Sequence, residues 1–505
     1  MYDAQHENPF NLIAAWISHL RKLNQDLFYQ IQNEDKTFLR PQTLHTDVDA
    51  LFKQLPEIDS AEEDGGARLI RHGVPRDEID TVQKWEFFHS FFHMLVVLAR
   101  LDERLTKVKT MSSWDLCRIN QTKTGEIAEF ESLNSNAEET GFLILPLVDT
   151  LNEPPEETQT VNKRHFAMDR HPGIQISLSN TFYVDREELV CNGRTYRVRN
   201  TILARHVFPE NKQVLKLAVS PLARGDFLRL ATRTEQRGGK TQNLVSVEGL
   251  KNSAFVHTRI RAACMEAGRR KADILIFPEM LGDSCSTGSE FFYHDIKETM
   301  RGVPMPGLIL LPTWWHDRRN ELFVRDAGGA LLCRQQKQTR YVFEAQDGRR
   351  YAEDLQKPKP VIHMVHIPGV GRFAFPICRD FLDTQYIGLL LETLRATFLL
   401  CPSYSPKKTQ FDLTAPGARQ YGCYTVWCNT CAAIGEPPIP PAYVGVADGP
   451  RGPGTPEILL KPQCGGDCGD GNSPCVFLVE IQMKHFADMK CVHICRNGVH
   501  EVPQT

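Results

Sequence analysis

From about residue 212 onward, short apolar runs alternate with amphipathic stretches, and this alternation restricts the chain more than any other feature. Val214-Leu-Lys-Leu-Ala-Val reads as a strand. A helix follows in which Val256, Ile260, Ala263 and Ala267 mark one apolar face at spacings of four, three and four. Asp273-Ile-Leu-Ile-Phe, Leu308 to Pro312, Glu321 to Val324, Leu331 to Arg334, Val361 to Ile367 and Arg372 to Ile377 are all strand-like. A helix from about Thr384 to Arg395 buries Ile387, Leu390, Leu391 and Leu394. Strands at Thr397 to Cys401 and Tyr424 to Asn429 bracket another helix. Strands alternating with helices make an α/β domain.

Three of these strands end in chemistry. Asp273-Ile-Leu-Ile-Phe-Pro-Glu279 runs straight into proline and a carboxylate, and Phe373-Ala-Phe-Pro-Ile-Cys378 does the same with a thiol. Leu331-Leu-Cys-Arg-Gln-Gln-Lys337 presents an ammonium at a strand end. In open α/β sheets the C-terminal strand edge is where ligands bind. A thiolate is a competent nucleophile, and a nearby cation lowers its pKa. A carboxylate can take the thiol proton and later activate water. An ammonium can stabilise the oxyanion of a tetrahedral intermediate. Taken singly, each has a bland alternative: a buried structural cysteine, or a solvated charge at a strand end.

The remaining 200 or so residues say less. A chain of 505 residues exceeds one ordinary core. Residues 1–125 read as mainly helical, with Trp85, Phe88, Phe91, Phe92, Leu95 and Leu98 at mostly helical spacing. Residues 126–211 read as a mixed, β-containing connector: Ile174 to Val184 and Thr195 to Leu203 are strand-like, with a turn at Cys191-Asn-Gly. Residues 212–490 form the α/β domain and 491–505 a tail.

The formal charge of −3 gives no global pull toward nucleic acid or anionic lipid. No basic-then-apolar leader opens the sequence, and the longest apolar run, near Phe91 to Leu98, is far below the ~20 residues that span a bilayer. Fifteen cysteines without an export signal fit a reducing cytoplasm with mostly free thiols. A soluble, cytoplasmic protein without membrane or nucleic-acid partners is the expectation.

From about Val214 to Ile481, a little over half the chain, the sequence resembles the nitrilase superfamily of carbon–nitrogen hydrolases. The helix ending Met265-Glu-Ala-Gly with Ala272-Asp-Ile-Leu-Ile-Phe-Pro-Glu279 carries part of the resemblance, as does Asn320-Glu-Leu-Phe-Val-Arg-Asp-Ala-Gly-Gly-Ala ahead of the lysine strand. Gly371-Arg-Phe-Ala-Phe-Pro-Ile-Cys378-Arg-Asp, Ala396-Thr-Phe-Leu-Leu-Cys-Pro-Ser, Ala418 to Asn429 and Pro474-Cys-Val-Phe-Leu-Val-Glu-Ile carry the rest. The order Glu, Lys, Cys is the family's order.

The resemblance implies an α-β-β-α sandwich, preceded by the helical region and the connector. It implies Glu279 as general base, Lys337 as oxyanion stabiliser and Cys378 as the nucleophile of a thioester acyl-enzyme. Members often carry a second glutamate soon after the lysine, for which Glu344 is the candidate. Asn320 and Arg379 are candidates for substrate contact, although Arg379 can equally pair with Asp380 or Asp383. The family usually pairs such domains, so a homo-oligomer is expected.

Cys464-Gly-Gly-Asp-Cys468, with Cys475, Cys491 and Cys495 beyond, invites a zinc reading, but its spacings are looser than paired CxxC ligands. A thiol-bearing loop without metal is the expectation. No phosphate-binding loop and no synthetase loop follows, and Tyr183-Val-Asp-Arg lacks the paired aspartates of polymerase chemistry. The expected activity is cofactor-free hydrolysis of a small-molecule amide or related C–N bond, such as a nitrile or carbamoyl group. Acyl transfer to an amine by the same residues, or a latent binding module governed by the N-terminal extension, stay open as alternatives.

Overall fold

The computed structural model describes two strands at 142–146 and 181–185 and most of residues 189–502. Residues 1–141, 147–180, 186–188, 204–213 and shorter loop stretches lie outside the described residues. The helical reading of 1–125 falls outside them. Phe142–Pro146 and Thr181–Asp185 pair antiparallel in one unit. The chain from Glu188, apart from 368–370, makes the other.

Among the described residues, the larger unit is an α/β fold with three sheets. The first has nine strands, and at its centre Val214–Val219, Ile274–Ile276 and Leu308–Leu310 run parallel. Ile274-Leu-Ile is buried along its whole length, which is why it reads as an uninterrupted apolar run rather than an alternating one. Arg319–Asp326 extends this sheet and pairs with the lysine strand Leu331–Gln336. The second sheet has eight strands, including Val361–Ile367, Gly371–Ala374, Phe398–Pro402 and Tyr424–Cys428. A four-stranded sheet joins Leu228–Arg237, Lys240–Leu250, Arg350–Glu353 and Val342–Glu344.

Helices cover the outer faces. The helix Ser253–Arg269 starts where the Asn252 side chain accepts from the Phe255 N–H. It presses Val256, Ile260, Ala263 and Ala267, each at most 1% exposed, into a cluster with Ala218, Leu275, Ile309 and Leu478 of the first sheet. Full burial of an Ile side chain contributes about 1.5–3 kcal/mol. On the second sheet, the helix Thr409–Gln420 sets Phe411 against Trp427, with ring centroids 4.8 Å apart.

The two sheets meet face to face. Cys428 Sγ of the second lies 3.7 Å from the Ile276 carbonyl of the first, and Thr201 Oγ1 donates to the Leu332 carbonyl at 3.3 Å. The layer order is therefore helix, sheet, sheet, helix.

Two expected boundaries move. The supposed tail at 491–505 is largely sheet: Met489–Cys495 and Gly498–Glu501 are the last two strands of the nine-stranded sheet. The end of the connector also belongs to this unit. Arg194–Ile202 runs parallel to Val361–Ile367 and turns back through Gly193, at φ +66°, onto Leu189–Cys191. The helix expected over Thr384 to Arg395 is α-helical only over Thr384–Gly388 and continues as a π-turn over Leu389–Thr393.

Candidate active site

Two of the three strand ends turn sharply. Met280, directly after Glu279, has φ +65°, and Cys378 itself has φ +46°. A left-handed backbone at a residue with a Cβ costs free energy and recurs where a side chain must be aimed. Cys378 opens the short 3-10 turn Cys378–Leu382. That turn is anchored by Phe381, which stacks on Phe411 at 5.9 Å. It is also anchored by Asp380, whose carboxylate accepts from the Ile377 N–H at 3.2 Å, Gln338 at 3.0 Å and Thr339 at 2.6 Å. One buried carboxylate thus ties the Cys378 turn to the two residues that follow Lys337.

Glu279 and Lys337 touch. Lys337 Nζ donates to Glu279 Oε1 at 2.7 Å, and both side chains are fully buried. Asn320 Nδ2 donates to the same oxygen at 2.7 Å, and the Tyr404 N–H to Oε2 at 2.9 Å. Three of roughly four acceptor positions on the carboxylate are filled, which leaves one on Oε2 for a proton. Asn320 also accepts the Lys337 N–H on its backbone carbonyl at 2.9 Å. It therefore touches the Glu279 carboxylate and the Lys337 backbone at once.

The expected second glutamate is displaced. Glu344 is exposed at the end of its strand and pairs with Arg350 across the hairpin. Glu353 instead receives Lys337 Nζ at 2.7 Å on Oε1 and the Tyr341 N–H at 2.8 Å on Oε2. Arg379 is half-buried beside Tyr341, whose phenol its charge acts upon.

The electrostatics follow from burial. Desolvation pushes the Cys378 thiol well above its ordinary range, and the Glu279 charge adds to it, outweighing Lys337. A thiol so placed is protonated at rest and requires a base. Burial pulls Lys337 down, but Glu279, Glu353 and Cys378 overcome it and hold its pKa well above the usual lysine value. Burial raises Glu353, against the pull of Lys337 and with help from Glu279. The result is an ammonium held between two carboxylates beside a thiol, out of water, where charge interactions are strong.

Among the described residues no cluster of three or more His, Cys, Asp or Glu side chains is arranged to hold a metal. Cys464 and Cys468 lie outside the described residues, and Cys475 sits 3.5 Å from His493 Nε2. No disulfide joins two described cysteines. No described helix is long and apolar enough to cross a membrane.

No family model and no curated protein sequence matches the chain. Solved structures do. A glutamine-dependent NAD+ synthetase from Acinetobacter baumannii matches over 53% of this chain at 12% identity and a TM-score of 0.33, and this chain spans 45% of that protein. A Nesterenkonia amidase of the nitrilase superfamily matches over 50% of this chain and 90% of its own, at 13% identity and a TM-score of 0.33. The C. elegans NitFhit protein matches over 54% of this chain and 61% of its own, at 15% identity and a TM-score of 0.36.

Proposed function

We propose that this chain is a carbon–nitrogen hydrolase of nitrilase type, in which Cys378 is the nucleophile, Glu279 the general base and Lys337 the oxyanion stabiliser. The observation that carries the reading is the buried Lys337 bridge between Glu279 and Glu353 beside the strained, buried Cys378.

Glu279 takes the Cys378 proton, and the thiolate sulfur attacks the acyl carbon. The carbonyl electron pair moves onto oxygen, where Lys337 stabilises it. As the carbonyl re-forms, the C–N bond breaks and the leaving amine or ammonia takes the proton from Glu279. Water then gives a proton to Glu279 while its oxygen attacks the thioester; the acid leaves, and the proton returns to sulfur. Glu353 orients the ammonium, Asn320 the carboxylate, and Arg379 borders the substrate. The substrate is a small amide or a related nitrile or carbamoyl compound, and the active form is a homo-oligomer.

The test is intact-mass spectrometry of wild type and Cys378→Ala after exposure to a panel of amides, nitriles and ureas, with ammonia release followed in the same samples. An adduct or ammonia release on wild type, absent from Cys378→Ala, supports the reading. Turnover retained by Cys378→Ala defeats it.

A further inference from the structure

The hairpin that supplies Glu353 also presents three aromatic rings. Phe343 pairs directly opposite Tyr351, and the Glu353 N–H donates to the Tyr341 carbonyl at 3.0 Å. Side chains alternate along a strand, so Tyr341, Phe343, Tyr351 and Glu353 share one face. On the opposite face Ala352, 1% exposed, lies level with Leu244, 0% exposed, while Val342, Glu344 and Arg350 are exposed.

The rings form a ladder. Tyr341 and Phe343 stack at 5.7 Å and 17°, and Phe343 and Tyr351 at 5.7 Å and 19°. Glu353 is buried at one end of this face, while all three rings are partly exposed. Beyond burial, the groups that act on the Tyr341 phenol are Cys378, Arg379, Glu353 and Lys337, which places the inner end of the ladder at the nucleophile. Cross-strand aromatic pairs also stabilise hairpins. Half-exposed rings lined up from the reacting centre outward do something further: they offer π-faces to whatever is attached to the reacting carbon or nitrogen.

We propose that Tyr341 and Phe343 form a subsite for a flat aromatic group adjoining the scissile C–N bond, so that the substrate class is aryl-bearing amides. The inference rests on Cys378 being the nucleophile.

The experiment measures alkylation of Cys378 in the full chain, by peptide mass mapping, with iodoacetamide, iodoacetanilide and iodo-N-cyclohexylacetamide. Each rate is divided by that of the same reagent with N-acetylcysteine, which removes intrinsic reactivity. An added offset-stacked ring gives the phenyl reagent an expected advantage of about three- to tenfold over the cyclohexyl reagent. That ratio falls toward one in Tyr341→Leu and Phe343→Leu and is retained in Phe343→Tyr. A purely structural ladder changes all three rates together and leaves the ratio alone. Equal normalised rates for phenyl and cyclohexyl reagents, or a ratio that survives both leucine variants, overturns the subsite while leaving the nucleophile in place. Failure of every reagent to modify Cys378 overturns the nucleophile reading and the subsite with it.

Discussion

Lys337 reaches Glu353, sixteen positions along the chain, and not Glu344, seven positions along. The hairpin decides this. Glu344 lies opposite Arg350, Phe343 opposite Tyr351 and Val342 opposite Ala352, so the returning strand brings position 353 level with Tyr341. From there its carboxylate meets the ammonium.

The two glutamates therefore separate in effect. With ammonia release as the readout, Glu353→Gln lowers turnover by about a hundredfold, the cost of a misplaced reacting group. Glu344→Gln, at an exposed strand end, shifts stability by less than about 0.5 kcal/mol and leaves turnover intact. The reverse ranking sinks the assignment of Glu353.

Lys337→Met leaves Glu279 and Glu353 buried with no cation between them. Removing one partner of a buried ionic set costs about 3–5 kcal/mol. Adding Glu353→Gln removes one of the stranded charges and recovers part of that loss. Urea unfolding of the single and double variants checks it. If the two losses simply add, the ion-pair chain is not coupled.

Much of this site was legible because strands buried on both faces write themselves as apolar runs, and proline marks where they stop. Ile274-Leu-Ile before Pro278 and Glu279 shows both signals at once. The second glutamate was not legible by counting from Lys337, because the spacing is set across a turn. Asp347-Gly348 is a turn dipeptide, but a two-residue turn there puts Glu353 opposite Val342, one place off the observed register. The hairpin Leu228–Arg237 with Lys240–Leu250 was missed in the same way, although Gly238-Gly239 lies between two alternating runs. The last two strands looked like a tail because short edge strands such as Gly498–Glu501 are half polar.

Asp380 makes the clamp between Lys337 and Cys378 sensitive to pH. Burial pushes its carboxyl up to about 7, against the N–H groups of Gln338, Ile377 and Thr339 and the Lys337 charge. Between about pH 4 and 7 the folded chain holds this proton and the unfolded chain does not, so its contribution to stability falls as pH rises through that window and is flat above it. Half-buried His363 and buried His493, both lowered to about 4 chiefly by desolvation, act in the opposite sense by destabilising the fold as pH falls below about 6.5. The comparison of wild type with Asp380→Asn cancels the histidines. The stability difference in favour of wild type is largest near pH 4.5 and narrows by pH 7.5 in urea titrations. A difference that does not change across this range contradicts a raised Asp380.

The positive φ of Cys378 makes a prediction of opposite sign to the usual glycine rule. At a site with ordinary backbone angles, glycine is less stable than alanine by about 0.5–1 kcal/mol. At φ +46° the Cβ of alanine carries a left-handed penalty of about 1–2 kcal/mol, which glycine escapes. Cys378→Gly is therefore expected to equal or exceed Cys378→Ala in unfolding free energy, by up to about 1 kcal/mol, while neither forms an acyl adduct. Denaturant midpoints of the two variants at equal slope give the comparison directly. Alanine being the more stable of the two shows that position 378 is relaxed, and that the thiol is aimed without stored strain.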